Sequence, residues 1–217
     1  RELAGRESDL ALVLGSGLGG MTARLQLEWA RDASAIPGYP RSTVVGHKGR
    51  LLFGTIGGRA LWVVQGRVHL YEGYGVETAT RYVRLLHALG VRRLLLTNAA
   101  GSVDPGSAGP GDIVLCRDAI NLFFRRLATP AWPGAWRSRT ALSDPDLCRH
   151  AEEVAREEGI ALRPGVLVGS LGPAYETAAE VRAWRAVGGT VASMSTVPEA
   201  IAARELGMRC LLFSLVT

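Results

Sequence analysis

Of the 25 basic residues in this 217-residue chain only one, Lys48, is a lysine, and it stands in Gly46-His47-Lys48-Gly49-Arg50 with neither Ser nor Thr after it. A Walker A phosphate loop is thereby excluded, because that loop needs Lys followed by a hydroxyl residue. Lysine Schiff-base chemistry would rest on the same residue, in a Gly-flanked turn that offers little apolar burial to depress its pKa. Cysteine is scarce: Cys116, Cys148 and Cys210 are odd in number and far apart, with no C-x-x-C pair to build a zinc or redox site. No apolar run approaches the roughly 18 residues that span a bilayer, and Arg1-Glu2-Leu3-Ala4-Gly5-Arg6-Glu7 is too charged for a signal peptide. The expectation is a soluble, cytoplasmic protein with no membrane partner and no metal.

Dense cationic runs are also missing. The net charge is +5 and the pI about 9.6, but the cations are spread out, with only short pairs such as Arg92-Arg93 and Arg125-Arg126. None is interleaved with aromatics as a single-strand platform requires, so nucleic acid is not expected as a partner. Hydrophobic residues at 47% and charged residues at 21% are ordinary for a globular protein and exclude disordered and disulfide-scaffold classes.

What is present is an alternation. Leu10 to Leu14, Leu51 to Ile56, Ala60 to Val64, Arg93 to Thr97, Ile113 to Cys116, Val166 to Val168 and Arg209 to Val216 read as strands. Ala79, Tyr82, Val83, Leu86 and Leu89 follow helical spacing up to Gly90, and Asp144 to Glu158, Glu176 to Val187 and Val197 to Leu206 supply further helices. The pattern predicts a single α/β domain with a mixed, largely parallel central sheet flanked by helices, whose ligands collect at the C-terminal ends of the strands. The 27 glycines, about twice the ordinary share, cluster after strands. The segment Phe123 to Arg139 is the one long irregular stretch.

Five constellations could carry chemistry. Leu12-Val13-Leu14-Gly15-Ser16-Gly17-Leu18-Gly19-Gly20 satisfies G-x-G-x-x-G. A dinucleotide site also needs an acidic residue about twenty residues on, yet Ala33 to Val45 has no Asp or Glu. A glycine turn with Ser16 can instead hold a small anion through amides and a hydroxyl, or be a purely structural turn. Gln65-Gly66-Arg67-Val68-His69-Leu70-Tyr71-Glu72 reads as an extended segment with Arg67, His69 and Tyr71 on one face and Val68 and Leu70 on the other. Arg offers a fork of donors for an oxyanion and His titrates near neutrality. A half-exposed structural strand would show the same alternation. Leu95-Leu96-Thr97-Asn98-Ala99-Ala100-Gly101-Ser102 ends an apolar strand in small residues that let amides lie against a ligand.

In Gly172-Pro173-Ala174-Tyr175-Glu176-Thr177-Ala178-Ala179-Glu180, Thr177 and Glu180 form a capping box, which gives Glu180 a structural task. Glu176 has none and could accept a hydrogen bond from a ring N–H while Tyr175 covers a flat ligand; an exposed carboxylate is the plainer alternative. In Met194-Ser195-Thr196-Val197-Pro198-Glu199 the same box is expected from Thr196 and Glu199. Ser195 would then stand at the positive end of a helix. His87 and His150 fall within helical patterns and are not site candidates.

Together with Gly46-His47-Lys48-Gly49-Arg50, these blocks resemble the trimeric purine nucleoside phosphorylase family in order and spacing, from about Leu12 to Thr217. The resemblance implies cleavage of purine ribo- or deoxyribonucleosides by inorganic phosphate to free base and pentose 1-phosphate, a purine salvage reaction, with no metal or organic cofactor. It assigns Ser16, His47, Arg67, His69, the Ala99 amide and Ser195 to phosphate, Tyr71 and Met194 to the sugar, and Tyr175, Glu176 and Thr217 to the base. His69, Glu72 and Glu176 are the catalytic candidates, with Glu72 orienting phosphate or His69 from behind. A homotrimer is implied, in which a neighbour's aromatic residue closes the sugar site; Trp132 and Trp136 are candidates. The family continues past the equivalent of Thr217 with an Asn or Asp and a helix, so residues 1–217 are expected to be one phosphorylase domain lacking its C-terminal helix. Methylthioadenosine phosphorylase is the sister reading, and a non-catalytic Rossmann-type nucleotide-binding module is the reading from a different class.

Overall fold

The computed structural model describes residues 5–42, 49–124 and 141–217. His47, Lys48, Trp132 and Trp136 lie outside the described residues. The apolar run Leu10–Leu14 forms β1, and from Ala11 onward it is buried, as a strand covered on both faces must be. β2 (Gln26–Asp32), β3 (Arg50–Ile56) and β4 (Arg59–Gln65) follow as an antiparallel run. The helical pattern after Tyr74 divides at Thr80 into α1 (Val76–Ala79) and α2 (Arg81–Ala88). The Thr80 hydroxyl donates back to the Val76 carbonyl at 2.8 Å, and Tyr82, Val83 and Leu86 turn one face of α2 into the core.

The rest of the chain supplies β5 (Arg93–Ser102), β6 (Ile113–Asn121), α3 (Pro145–Glu157), β7 (Leu162–Gly169), α4 (Ala178–Ala186), β8 (Val191–Ser193), α5 (Val197–Glu205) and β9 (Arg209–Val216). The strand order is β2-β3-β4-β1-β5-β8-β7-β6-β9, with β9 also paired to β5. Strands β5, β8, β7, β6 and β9 therefore close into a ring, and β1, β4, β3 and β2 extend from it as an open wing. The sheet is mixed as expected: β1 is parallel to β4 and β5, β5 to β9, and β7 to both β6 and β8, while the other pairings are antiparallel.

The main core runs continuously from the wing into the ring and takes in α2 and α5. Trp62 is fully buried, 4.8 Å from Phe53 and 5.9 Å from Trp29 between ring centroids, and each such large side chain contributes roughly 1.5–3 kcal/mol of burial energy. α5 is buried on nearly every side and packs on α2 and β9. Cys116, Cys148 and Cys210 are free thiols inside the protein.

Several elements differ from the sequence reading. β2 and β8 were not expected. β7 begins four residues before Val166 and runs through Pro164 and Gly165, two residues that argue against a strand. β6 continues past Cys116 to Asn121 across a register shift between Cys116 and Asp118. The helix expected from Glu176 begins at Ala178.

α3 is fastened at its start. The Asp144 carboxylate accepts the amides of Asp146 and Leu147, each at 3.0 Å, and a two-pronged contact from Arg209 at 2.8 and 2.7 Å. Arg209, foremost, and the two amides hold its carboxyl at about 2 against an ordinary 3.8. Because the group binds its proton more weakly when folded, the stability it contributes is complete above roughly pH 4 and is lost as pH falls toward 2. We expect the gap in urea midpoint between wild type and Asp144→Asn to be constant above about pH 5 and to shrink progressively below about pH 4.

Candidate active site

The C-terminal ends of β1, β4, β5 and β9 open on one side of the sheet. β1 is followed by Gly15, where an added Cβ would lie 2.6 Å from the Asn98 Cα and 2.7 Å from the Thr97 carbonyl oxygen. Only glycine allows so close an approach. The Thr97 hydroxyl accepts the Gly15 amide at 3.1 Å and donates to the Val13 carbonyl at 2.7 Å. That stitch ties the start of the Ser16 turn to β5, and Ser16 and Ala99 line the same cavity.

β4 ends in Gln65, and two residues later Arg67 turns inward, only 3% exposed. Its Nη1 donates to both carboxylate oxygens of Glu199 at 3.3 and 3.2 Å and to the Thr196 hydroxyl at 3.0 Å. Ser195 Oγ lies 3.4 Å from the same nitrogen, and Nη2 donates to the Thr97 carbonyl. Glu199 also faces the phenols of Tyr39 and Tyr82. Burial first, and the Glu199 charge second, raise both phenols well above their ordinary value, so they stay protonated.

This arrangement overturns the capping box expected from Thr196 and Glu199. Thr196 precedes α5 at φ 74° and makes no side-chain cap. Its hydroxyl accepts instead from Arg67 and from Asn98 Nδ2, the latter at 2.9 Å. A buried guanidinium claims the carboxylate more strongly than a backbone amide does. The box expected from Thr177 and Glu180 does form, with bonds of 2.7 and 3.2 Å.

The extended segment expected over Arg67 to Tyr71 gives way to a 3₁₀ turn at Leu70–Glu72. Glu72 causes the change by reaching back to the His69 amide at 2.6 Å, with the same oxygen 3.3 Å from His69 Nδ1. His69 stacks on Tyr71 with ring centroids 4.9 Å apart and planes 14° from parallel. Val68 and Leu70 are in the core as expected, but Arg67 is buried with them. Burial foremost, then the charges of Glu72 and Tyr175, raise the Tyr71 phenol.

Across the opening, Tyr175 is 88% exposed. Glu176 lies beside it, its Oε1 accepting from Ser170 Oγ at 2.9 Å. Gly172, at φ +68°, leaves room for Met194, whose sulfur would be 2.3 Å from a Cβ there.

These segments enclose a cavity of about 280 Å³, near the lower end of the range for small-molecule sites. Ser16, Arg67, His69, Tyr71, Ala99, Tyr175, Glu176, Met194, Ser195 and Thr217 all line it. Glu72 does not and stands behind His69. His47 is outside the described residues. The lining combines hydroxyls, a guanidinium and small residues with an aromatic ring and a carboxylate, groups whose chemistry suits an anion and a planar heterocycle.

The family model described as the phosphorylase superfamily matches residues 9–217. The chain belongs to the phosphorylase superfamily. It is 40% identical to purine nucleoside phosphorylase 1 of Geobacillus stearothermophilus, the match covering 96% of this chain and 77% of that protein. It is 42% identical to the purine nucleoside phosphorylase of Rattus norvegicus, covering 96% and 75%. Among solved structures, a purine nucleoside phosphorylase in complex with ribose-1-phosphate superposes with a TM-score of 0.90 at 35% identity, covering 99% of this chain and 82% of that one. The Schistosoma mansoni enzyme in complex with acetate gives 0.89 at 34%, covering 100% and 82%.

Sequence reasoning did not single out Asn98, Thr196 or Glu199 as site residues. Asn98 lines the phosphorylase cavity at 2% exposure, and its Oδ1 has no partner among the described residues. It stood inside the Thr97-Asn98-Ala99-Ala100-Gly101 block, but nothing local marks an amide as buried. The close approach at Gly15 leads to a direct expectation. Gly15→Ala must push β1 away from β5 backbone that cannot yield, lowering stability by about 1–3 kcal/mol, whereas Gly20→Ala, with nothing within 4 Å of the new Cβ, should change it by less than about 0.5 kcal/mol. Urea denaturation of both variants measures the difference.

Proposed function

We propose that the chain catalyses the phosphorolysis of purine ribo- and deoxyribonucleosides, yielding the free base and pentose 1-phosphate. The convergence of anion-binding groups with an aromatic ring and a carboxylate on one cavity supports this reading, together with the relatives' names. Inorganic phosphate is the co-substrate, and the reading needs neither metal nor organic cofactor. The working form is a cytoplasmic homotrimer, as the family resemblance implies.

Phosphate sits against Ser16, Arg67, His69, the Ala99 amide and Ser195; the family resemblance assigns His47, which lies outside the described residues, to the same ligand. Ser195 stands two residues before the first turn of α5, whose dipole favours an anion there. Glu72 acts on the phosphate through His69, holding both its amide and its ring. Tyr71 and Met194 flank the sugar. Tyr175 covers the purine, and Glu176, held by Ser170, accepts a hydrogen bond from a ring N–H.

Breaking the N-glycosidic bond leaves positive charge on the ribosyl ring and negative charge on the departing purine. Bound phosphate stabilises the first before it attacks the anomeric carbon, and the donors around it cost no reorganisation at that moment. No covalent enzyme intermediate forms. Inosine, guanosine, adenosine and methylthioadenosine, each assayed with and without phosphate, test the reaction. Hypoxanthine is released from inosine only when phosphate is present. Release without phosphate, or turnover of methylthioadenosine alone, refutes the proposal. Arg67→Ala and Ser195→Ala should each lower kcat/KM for phosphate, by about 10- to 100-fold for the charged donor and less for the hydroxyl.

A further inference from the structure

Glu199 is a buried acid to which the phosphorolysis reading gives no task. It is 4% exposed and lies outside the lining of the candidate active-site cavity, yet both of its oxygens accept from one nitrogen of Arg67. We infer that Glu199, acting with Thr196, is a positioning residue for phosphate: the two fix the Arg67 guanidinium in the orientation the anion meets. This inference rests on the phosphorolysis reading.

The geometry carries it in three respects. First, the Arg67 Nη1 donates into Glu199 and Thr196 while Nη2 donates to the Thr97 carbonyl, so contacts at two of its nitrogens set the plane of the guanidinium. Second, Thr196 holds a positive φ of 74°, a backbone that a β-branched residue adopts only when its surroundings compel it. In that conformation its hydroxyl accepts from both Arg67 and Asn98. Third, the adjoining Ser195 and Ala99 line the cavity with Arg67. Three chain segments that contribute to the anion-binding groups are thus tied together by one acid and one hydroxyl.

The inference is separable from simple charge attraction. A neutral residue at 199 leaves Arg67 uncompensated, and electrostatics alone would then draw a phosphate dianion more tightly. Positioning predicts the opposite sign, because a Gln side chain presents one acceptor and an NH₂ group that cannot accept from Arg67.

For Glu199→Gln we expect the KM for phosphate to rise at least 10-fold, KM for inosine to stay within about 2-fold, and calorimetric titration with inorganic phosphate to show the same weakening without turnover. Wild-type or tighter phosphate affinity in a folded Glu199→Gln protein overturns the inference, as does a fall in Tm with the phosphate KM unmoved. Should Glu199→Gln fail to fold, Thr196 decides. Thr196→Val, which keeps the shape and removes the hydroxyl, raises the phosphate KM several-fold, and Thr196→Ser rescues it; equal phosphate KM values for the two overturn the inference. Wild-type protein that neither binds phosphate nor turns over any purine nucleoside refutes the functional reading itself, and the inference with it.

Discussion

The pairing of Arg67 with Glu199 sets the terms for everything around it. Two ions withdrawn from water are tolerable only when each remains fully hydrogen-bonded, and removing one partner of such a pair typically costs about 3–5 kcal/mol. The Thr97 carbonyl and the Thr196 hydroxyl also accept from the guanidinium. The strained backbone at Thr196, a cost of order 1–3 kcal/mol, is the local compromise that makes these contacts possible. A pocket built on such a network has little freedom to relax, which suits a site that must present donors to an anion without reorganising.

The cavity depends equally on strand order. Its lining comes from the exits of β1, β4, β5, β8 and β9 and from the turn before α4, so residues from Ser16 to Thr217 meet only once β5 has paired on both flanks. Thr97 is the hinge of that assembly, since its side chain ties β1 to β5 while its carbonyl takes Arg67. Fold and site are therefore one construction. The phosphorylase likeness extends over the same residues, 9–217, that build both.

Much of this was legible because apolar strands and post-strand glycines are local signals. β1, β4, β5 and β9, and the helices α2, α3 and α5, follow from hydrophobic runs and helical spacing. β2 escaped because its alternation is broken by charge on an edge, and β8 because three residues carry no period. Closure of the ring had no sequence signal, since it depends on β9 finding both β5 and β6. The two capping boxes show the limit most clearly. Thr177-Ala178-Ala179-Glu180 and Thr196-Val197-Pro198-Glu199 have the same spacing, yet only the first forms. The difference is Arg67, far away in sequence, and no local pattern registers a long-range competitor. The same holds for the stretch after Gln65, where Glu72 folds back on His69 and turns an expected strand into a 3₁₀ turn.

Ring closure also governs where the sheet is open to other chains. With β9 bonded to β5 and β6 at once, every strand of the ring has a neighbour on both sides along at least part of its length, and among the described strands β2 alone has a neighbour on one side only. A bare flank invites intermolecular zippering. Here it carries Glu28, Arg31 and Asp32, and slips register between Leu27 and Trp29. The charge and the bulge that hid β2 as a strand in the sequence are what keep it from recruiting a stranger.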